Sequence, residues 1–343
     1  MSDFNWGDVG GHEMSALDAK DKFGVNVGPY IDFGAMPRFS WTEKQQQATH
    51  DALKRMPKFA ISGNSDPGEK KVCLFDLWRH QETVSALGYV YPGIRQITGS
   101  CVGAGFGNVA FSLCAMEVIR LKDPEQIMIP FWLFTYGRGR LRAGMSSPGE
   151  GSNGAPQAEA ARLDGLVEAT RSGLPSFSKT DGLSWGSSTE MSWSDGDARQ
   201  SIDMLPEARK HLIKTTAKLN SADDVRAAIR DGKYPVTQAS MYGFNARVEG
   251  EGQDAVLIGR RGPRWAHQMS IHGWWEHPKF GELFWMQNQW GLNAHGTDPS
   301  GGPLGGVWIP KNDVDWLIND GDECFAFSQF SGFPSQQFSW GEY

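Results

Sequence analysis

The run from Cys101 to Arg120 constrains the fold more than any other stretch of the chain. Val102, Phe106, Val109, Ala110, Leu113, Met116 and Ile119 recur largely at spacings of three and four, the period of a helix. Asp123-Pro124 stops it. Gly103, Gly105 and Gly107 stand inside its first turns, where each costs about 1 kcal/mol relative to alanine. A helix that keeps three such residues implies another backbone packed close against its start, or an irregular first turn. A dinucleotide-binding loop would have to follow a strand. Here Pro92-Gly93 and Thr98-Gly99 make the approach a turn.

Around this run the pattern changes once. A helix is expected over Thr42–Arg55, ended by Pro57, then a loop over 62–70 and a strand over Lys71–Trp78. Residues 143–156 read as a loop, Gln157–Arg171 as a helix and 172–200 as irregular. Ser221–Asp231 reads as a helix with Ser221 as N-cap and Asp224 at the capping-box position. After Gly232 short apolar or alternating runs take over, at Pro235–Tyr242, Ala255–Ile258, Gln268–Trp274, Leu283–Gln287, Val307–Pro310 and Glu323–Phe327. Gly, Pro and Asn clusters separate them, the mark of antiparallel strands. Helical first and β second is an α+β pattern.

With 343 residues, 39% hydrophobic and 21% charged, the chain has enough apolar material for one large domain or two ordinary ones. A net charge of −7 and a pI near 5.6 leave no broad positive field, so nucleic acid is not an expected partner. The one basic knot, Arg138-Gly-Arg140-Leu-Arg142, reads as a solvated loop. Met1-Ser-Asp-Phe-Asn shows no signal peptide. No stretch approaches the roughly 20 apolar residues that span a bilayer. The longest, Ile127 to Phe134, is broken by Pro130. The expectation is a soluble protein, cytoplasmic or virion-associated, with no membrane contact. Cys73, Cys101, Cys114 and Cys324 share no CxxC spacing, so no zinc site, other metal or cofactor is expected, nor a disulfide framework. Cys73, Cys114 and Cys324 lie among apolar residues and read as core.

Cys101 is different. It follows Gly99-Ser100 and opens the helix, where unpaired backbone N–H groups favour a thiolate. The Cys101 N–H and the upstream Gln96 carboxamide are candidate oxyanion donors. Gln96-Ile-Thr-Gly-Ser-Cys101, followed by Ala110-Phe111-Ser112, resembles the nucleophile segment of the papain family of cysteine peptidases. Trp265-Ala-His267, with Gly273-Trp274 after it, resembles that family's histidine strand, and Asn288-Gln-Trp290-Gly291 its Asn-x-Trp-Gly strand. Gly305-Gly306-Val307-Trp308-Ile309-Pro310 resembles the strand that closes the β half. Val102 stands where the family usually has an aromatic residue, and Gln96 is one residue closer to the cysteine than usual. Cys101 and His267 lie further apart than the roughly 130–150 residues usual for the family, and an insertion around 172–210 would absorb the excess.

The resemblance implies a papain-like two-lobed α+β fold: a helical half whose central helix starts at the nucleophile, and an antiparallel β half, with a cleft between. It implies an N-terminal extension over 1–71 that does not look like an inhibitory prosegment, a peptidase domain over 72–330 and a tail over 331–343. The implied chemistry is peptide hydrolysis through a thioester, with Cys101 as nucleophile, His267 as its partner, Asn288 orienting the imidazole and Gln96 assisting at the oxyanion. The implied partner is a protein or peptide substrate, with a protein partner through 1–70 or the tail also in view. Two rivals stand beside it: a papain-like peptidoglycan hydrolase, and an inactive structural or assembly protein, such as a phage virion component. His272 lies five residues after His267 and so faces the other side of a strand. His267, His272 and His277 therefore do not converge on a metal.

Overall fold

The structure is a computed structural model that describes residues 12–14, 30–32, 35, 41–56, 59, 68–120, 126–321 and 323–328. Two short strands come first, β1 (His12–Met14) and β2 (Tyr30–Asp32). Helix α1 (Glu43–Arg55) follows as expected, opened by a capping box between Thr42 and Gln45. Pro57 lies outside the described residues.

The expected strand at Lys71–Trp78 is only half a strand. β3 covers Lys71–Cys73, and Leu74–Trp78 winds into a 3₁₀ turn. Leu74, Phe75, Leu77 and Trp78 are all buried, and a continuous apolar run fits a buried turn as well as a strand. Helix α2 (Gln81–Leu87) ends at Gly88, whose left-handed φ of 79° suits glycine.

The central helix, α3 (Cys101–Arg120), starts at the cysteine. Every residue from Cys101 to Met116 is buried, so its neighbours surround it. Its length and apolar character match a membrane span, contrary to the sequence expectation. With 89% of its apolar window inside the protein, it is a core helix. The three glycines have the close neighbours their presence implied. A Cβ on Gly103 would lie 2.6 Å from Tyr136, and one on Gly105 would lie 3.3 Å from the backbone oxygen of Gln268. At Gly107 it would run into Ile94 and Trp132.

Helix α4 (Trp132–Arg142) carries the basic knot, which is not a solvated loop. Arg140 is buried and donates to the carbonyls of Ser194, Glu150, Gly151 and Ser147. Arg138 and Arg142 both donate to Asp164, 3.1 Å and 2.8 Å away. The arginines tie loops to a helix. Helix α5 (Gly154–Leu163) begins earlier and ends sooner than expected. Gly165, at φ 85°, turns the chain away and packs against the Ala208 carbonyl. Within 172–200, expected to be irregular, lie α6 (Ser187–Trp193) and the start of α7 (Arg199–Ala208). After β4 (Thr215–Lys218), Ser221 caps α8 (Ala222–Arg226) by accepting from Asp224 N–H, and a π turn carries on to Asp231.

The later half is β, as expected: β5 (Val236–Glu249) runs on past the expected end at Tyr242, β6 (Val256–His277) is longer still, and β7 (Gly281–Gln287), β8 (Gly306–Pro310) and β9 (Glu323–Ser328) lie close to the runs read from the sequence. One helix interrupts it, α9 (Lys311–Gly321), packed on β5. Among the described residues the strands form one sheet, with the order β1-β2-β6-β5-β9-β4 and with β3, β7 and β8 attached to β6 or to each other. Two runs read as separate strands are one: β6 is 22 residues long and passes straight through Gly262-Pro263. Register shifts between Ser240 and Phe244 of β5 absorb that irregularity. The α+β expectation is met, with the helical half lying against the sheet through α3 and β6.

The described parts of 1–71 are built into this body. β2 pairs in parallel with Trp265 and Ala266, and Ala35 bridges Ser152. Arg55 of α1 pairs with Glu159 of α5. The tail at 331–343 lies outside the described residues.

Candidate active site

Cys101 enters α3 from a loop fixed on several sides. Ser100 O accepts the first helical bonds, from the N–H groups of Gly103 and Ala104. The carbonyl of Gly99 accepts from Tyr136 Oη at 3.2 Å and from Gly151 N–H at 2.9 Å. Beneath the loop sits Glu190, fully buried on α6. Its carboxylate accepts from Ile97 N–H at 3.0 Å, Thr98 N–H at 2.9 Å, and the hydroxyls of Thr98 and Ser100 at 2.7 Å each. Burial pushes its pKa up to about 7 against the opposing pull of these donors. Sequence reasoning missed Glu190, because nothing near it in the chain marks it as a partner of residues some ninety positions earlier.

β6 brings the histidine to the cysteine. The main-chain N–H of Gln268 donates to Cys101 Sγ at 3.4 Å, and the Gln268 side chain donates to Val102 O at 2.9 Å. Gly105 makes the approach possible, since its missing side chain lets α3 lie against the backbone of Gln268 and Met269. The alternation expected along β6 holds. Gln268 and His272 face α3, the latter through Ser112 Oγ at 3.1 Å, while His267 faces Asn288 and Trp290.

His267 Nε2 lies 2.8 Å from Asn288 Oδ1. The Trp290 ring stacks on the imidazole at 5.1 Å and 25°, and Trp265 stands edge-on to both rings. This apolar enclosure pushes the His267 pKa down to about 3, with the Asn288 hydrogen bond opposing it. Asn288 lies just past the end of β7, its own N–H bonded to Gly305 O. Gln96 is tied to the same neighbourhood: its N–H donates to Gln289 O at 2.9 Å, and its carboxamide donates one N–H to Thr98 O at 3.0 Å. All four candidate residues therefore come together around the start of α3.

Cys101 and His267 are both 0% exposed, and Asn288 2%. Cys73, Cys114 and Cys324 are also buried, and Cys114 accepts from Met128 N–H. Burial raises the pKa values of Cys73 and Cys324. Among the described residues no three His, Cys, Asp or Glu side chains are grouped to hold a metal.

No family model and no curated protein matches the chain. Solved structures do, among them papain-like cysteine proteases at low sequence identity. Xylellain, a cysteine protease from Xylella fastidiosa, is 14% identical over 80% of this chain and 95% of its own, with a TM-score of 0.49. Procathepsin B from Trypanosoma congolense is 9% identical over 88% of this chain and 91% of its own, with a TM-score of 0.47. Bromelain from Ananas comosus is 10% identical over 76% of this chain and all of its own, with a TM-score of 0.42.

Proposed function

We propose that the chain is a cysteine peptidase that cleaves peptide bonds through a thioester. One observation carries the reading. A cysteine at the N-terminus of a buried helix lies against the main chain beside a histidine, and that histidine's far nitrogen is held by an asparagine under a tryptophan. Nε2 is committed to Asn288, so Nδ1 is the nitrogen that exchanges the proton with Cys101. The thiolate attacks the scissile carbonyl carbon, and the carbonyl π electrons move onto oxygen. The Cys101 N–H and Gln96 carboxamide stabilise that oxyanion. His267 then protonates the leaving amine, and water, deprotonated by His267, releases the acid and restores the thiol.

The full burial of Cys101 and His267 favours a second reading, a papain-like fold that keeps the constellation without turnover. Intact mass after incubation with an epoxysuccinyl affinity label separates the two. A single adduct that maps to Cys101 and is lost in Cys101→Ala and His267→Ala supports the peptidase, and a peptide-library screen then gives its specificity. No adduct, with Cys101 still open to a small alkylating agent, overturns it.

A further inference from the structure

Asn288 is bonded on both sides. Its Oδ1 lies 2.8 Å from His267 Nε2, and its Nδ2 lies 2.8 Å from Nε2 of a second histidine, His295. The backbone N–H of Gln289, which can only donate, lies 2.7 Å from the same Oδ1. That donor fixes which end of the carboxamide is oxygen, because a flipped amide would set N–H against N–H. The other proton positions follow. An amide oxygen only accepts, so His267 Nε2 carries a hydrogen. An amide NH₂ only donates, so His295 Nε2 is bare and its proton sits on Nδ1.

We propose that His295 is a positioning residue of this site, holding the Asn288 carboxamide so that its oxygen faces His267. It is placed to do so. The ring lies between Phe244, at 5.1 Å, and Trp290, at 5.5 Å, so the same tryptophan lines both histidines. The residue is only partly buried, but its packing among these rings pushes the imidazole pKa down to about 3, which favours a neutral acceptor. No local pattern marks it, because His295 lies in the Gly- and Pro-rich connection after Gly291, outside any strand.

The catalytic consequence rests on the peptidase reading, but the proton arrangement does not. Imidazole ¹⁵N spectra of the full-length, histidine-labelled protein read that arrangement directly. His267 is expected to be protonated at Nε2, and His295 at Nδ1 with Nε2 bare. His295 protonated at Nε2 overturns the proposal whether or not the protein turns over. In the working enzyme, His295→Ala removes one neutral hydrogen bond, so kcat is expected to fall about fivefold with KM little changed. His295→Gln, whose side-chain oxygen can accept the same N–H, should restore most of it. Unchanged kcat in His295→Ala, or equal losses in the Ala and Gln variants, overturns the assignment. Absence of turnover in the wild type would instead remove the peptidase reading and leave the tautomer result to decide this one.

Discussion

Replacing Glu190 by glutamine tests whether a buried, titrating carboxyl holds the loop before Cys101. Three of its four hydrogen bonds fall on Oε2 and one on Oε1. A carboxamide with its oxygen in the Oε2 place keeps three acceptances but turns its NH₂ toward the N–H of Ile97. One bond is lost and a donor is left buried, which costs about 1–3 kcal/mol. The acid carries a further term. Burial raises its pKa from 4.5 to about 7 in the folded protein. The folded state therefore binds the proton more tightly than the unfolded state. That stabilisation is fully present below the unfolded value of 4.5 and is lost as the pH rises through 7. At about 1.4 kcal/mol per pH unit, the wild type forfeits about 3 kcal/mol across this window, whereas the glutamine variant forfeits none of it. Urea denaturation of both proteins between about pH 5 and about pH 8 gives the stability difference at each pH. Other titrating groups cancel in that difference. Glu190→Gln should be most destabilised at the acid end and recover toward the wild type at the alkaline end. A flat difference would refute a titrating carboxyl at this position.

Four further outcomes are expected. In Gly105→Ala, the new Cβ meets the Gln268 carbonyl at 3.3 Å, pushes α3 off β6 and costs about 1–3 kcal/mol. Slower labelling of Cys101 would report the displaced thiol, and an unchanged labelling rate would show that the contact is slack. His272 is pushed down to about 3 by burial, so its stabilisation is present above the unfolded value of 6.5 and lost as the pH falls toward 3. His272→Gln should accordingly flatten the acid side of the thermal-unfolding profile, opposite in sign to the Glu190 effect. Trp290→Ala should cost about 3–5 kcal/mol as a large core truncation. Trp290→Phe should keep most of the stability yet label Cys101 more slowly, because a smaller ring shields the His267–Asn288 bond less completely.

The chain announces its site more clearly than its walls. The period changes from helical to alternating after Gly232, which made the α+β division readable. Gly-Ser-Cys at a helix start, with His267 and Asn288-Gln-Trp290 on later runs, named residues that the structure brings together. Other features need the third dimension. Gly262-Pro263 looks like a turn, but β6 runs on because the register of β5 shifts opposite it. Arg138, Arg140 and Arg142 look solvated, because the carbonyls and the Asp164 carboxylate that receive them come from other parts of the chain. Glu190 and His295 carry no local signal at all. Glu190 acts through hydrogen bonds that exist only once segments some ninety residues apart meet, and His295 through the path of a loop that no periodic pattern marks.

β6 has one more consequence. It touches β2, β3, β5, β7 and β8 along its length, and His267 sits at its middle, paired with Ser240 of β5 and next to the residues that pair with β2. Amides there should exchange with deuterium only through opening of the whole domain. Asn288 and His295 lie on the connection between β7 and β8, where a local opening suffices to expose a backbone. The imidazole and the carboxamide that orients it thus belong to different opening units. Whatever adjusts the site during evolution or in response to a partner has far more freedom to move the asparagine than the histidine.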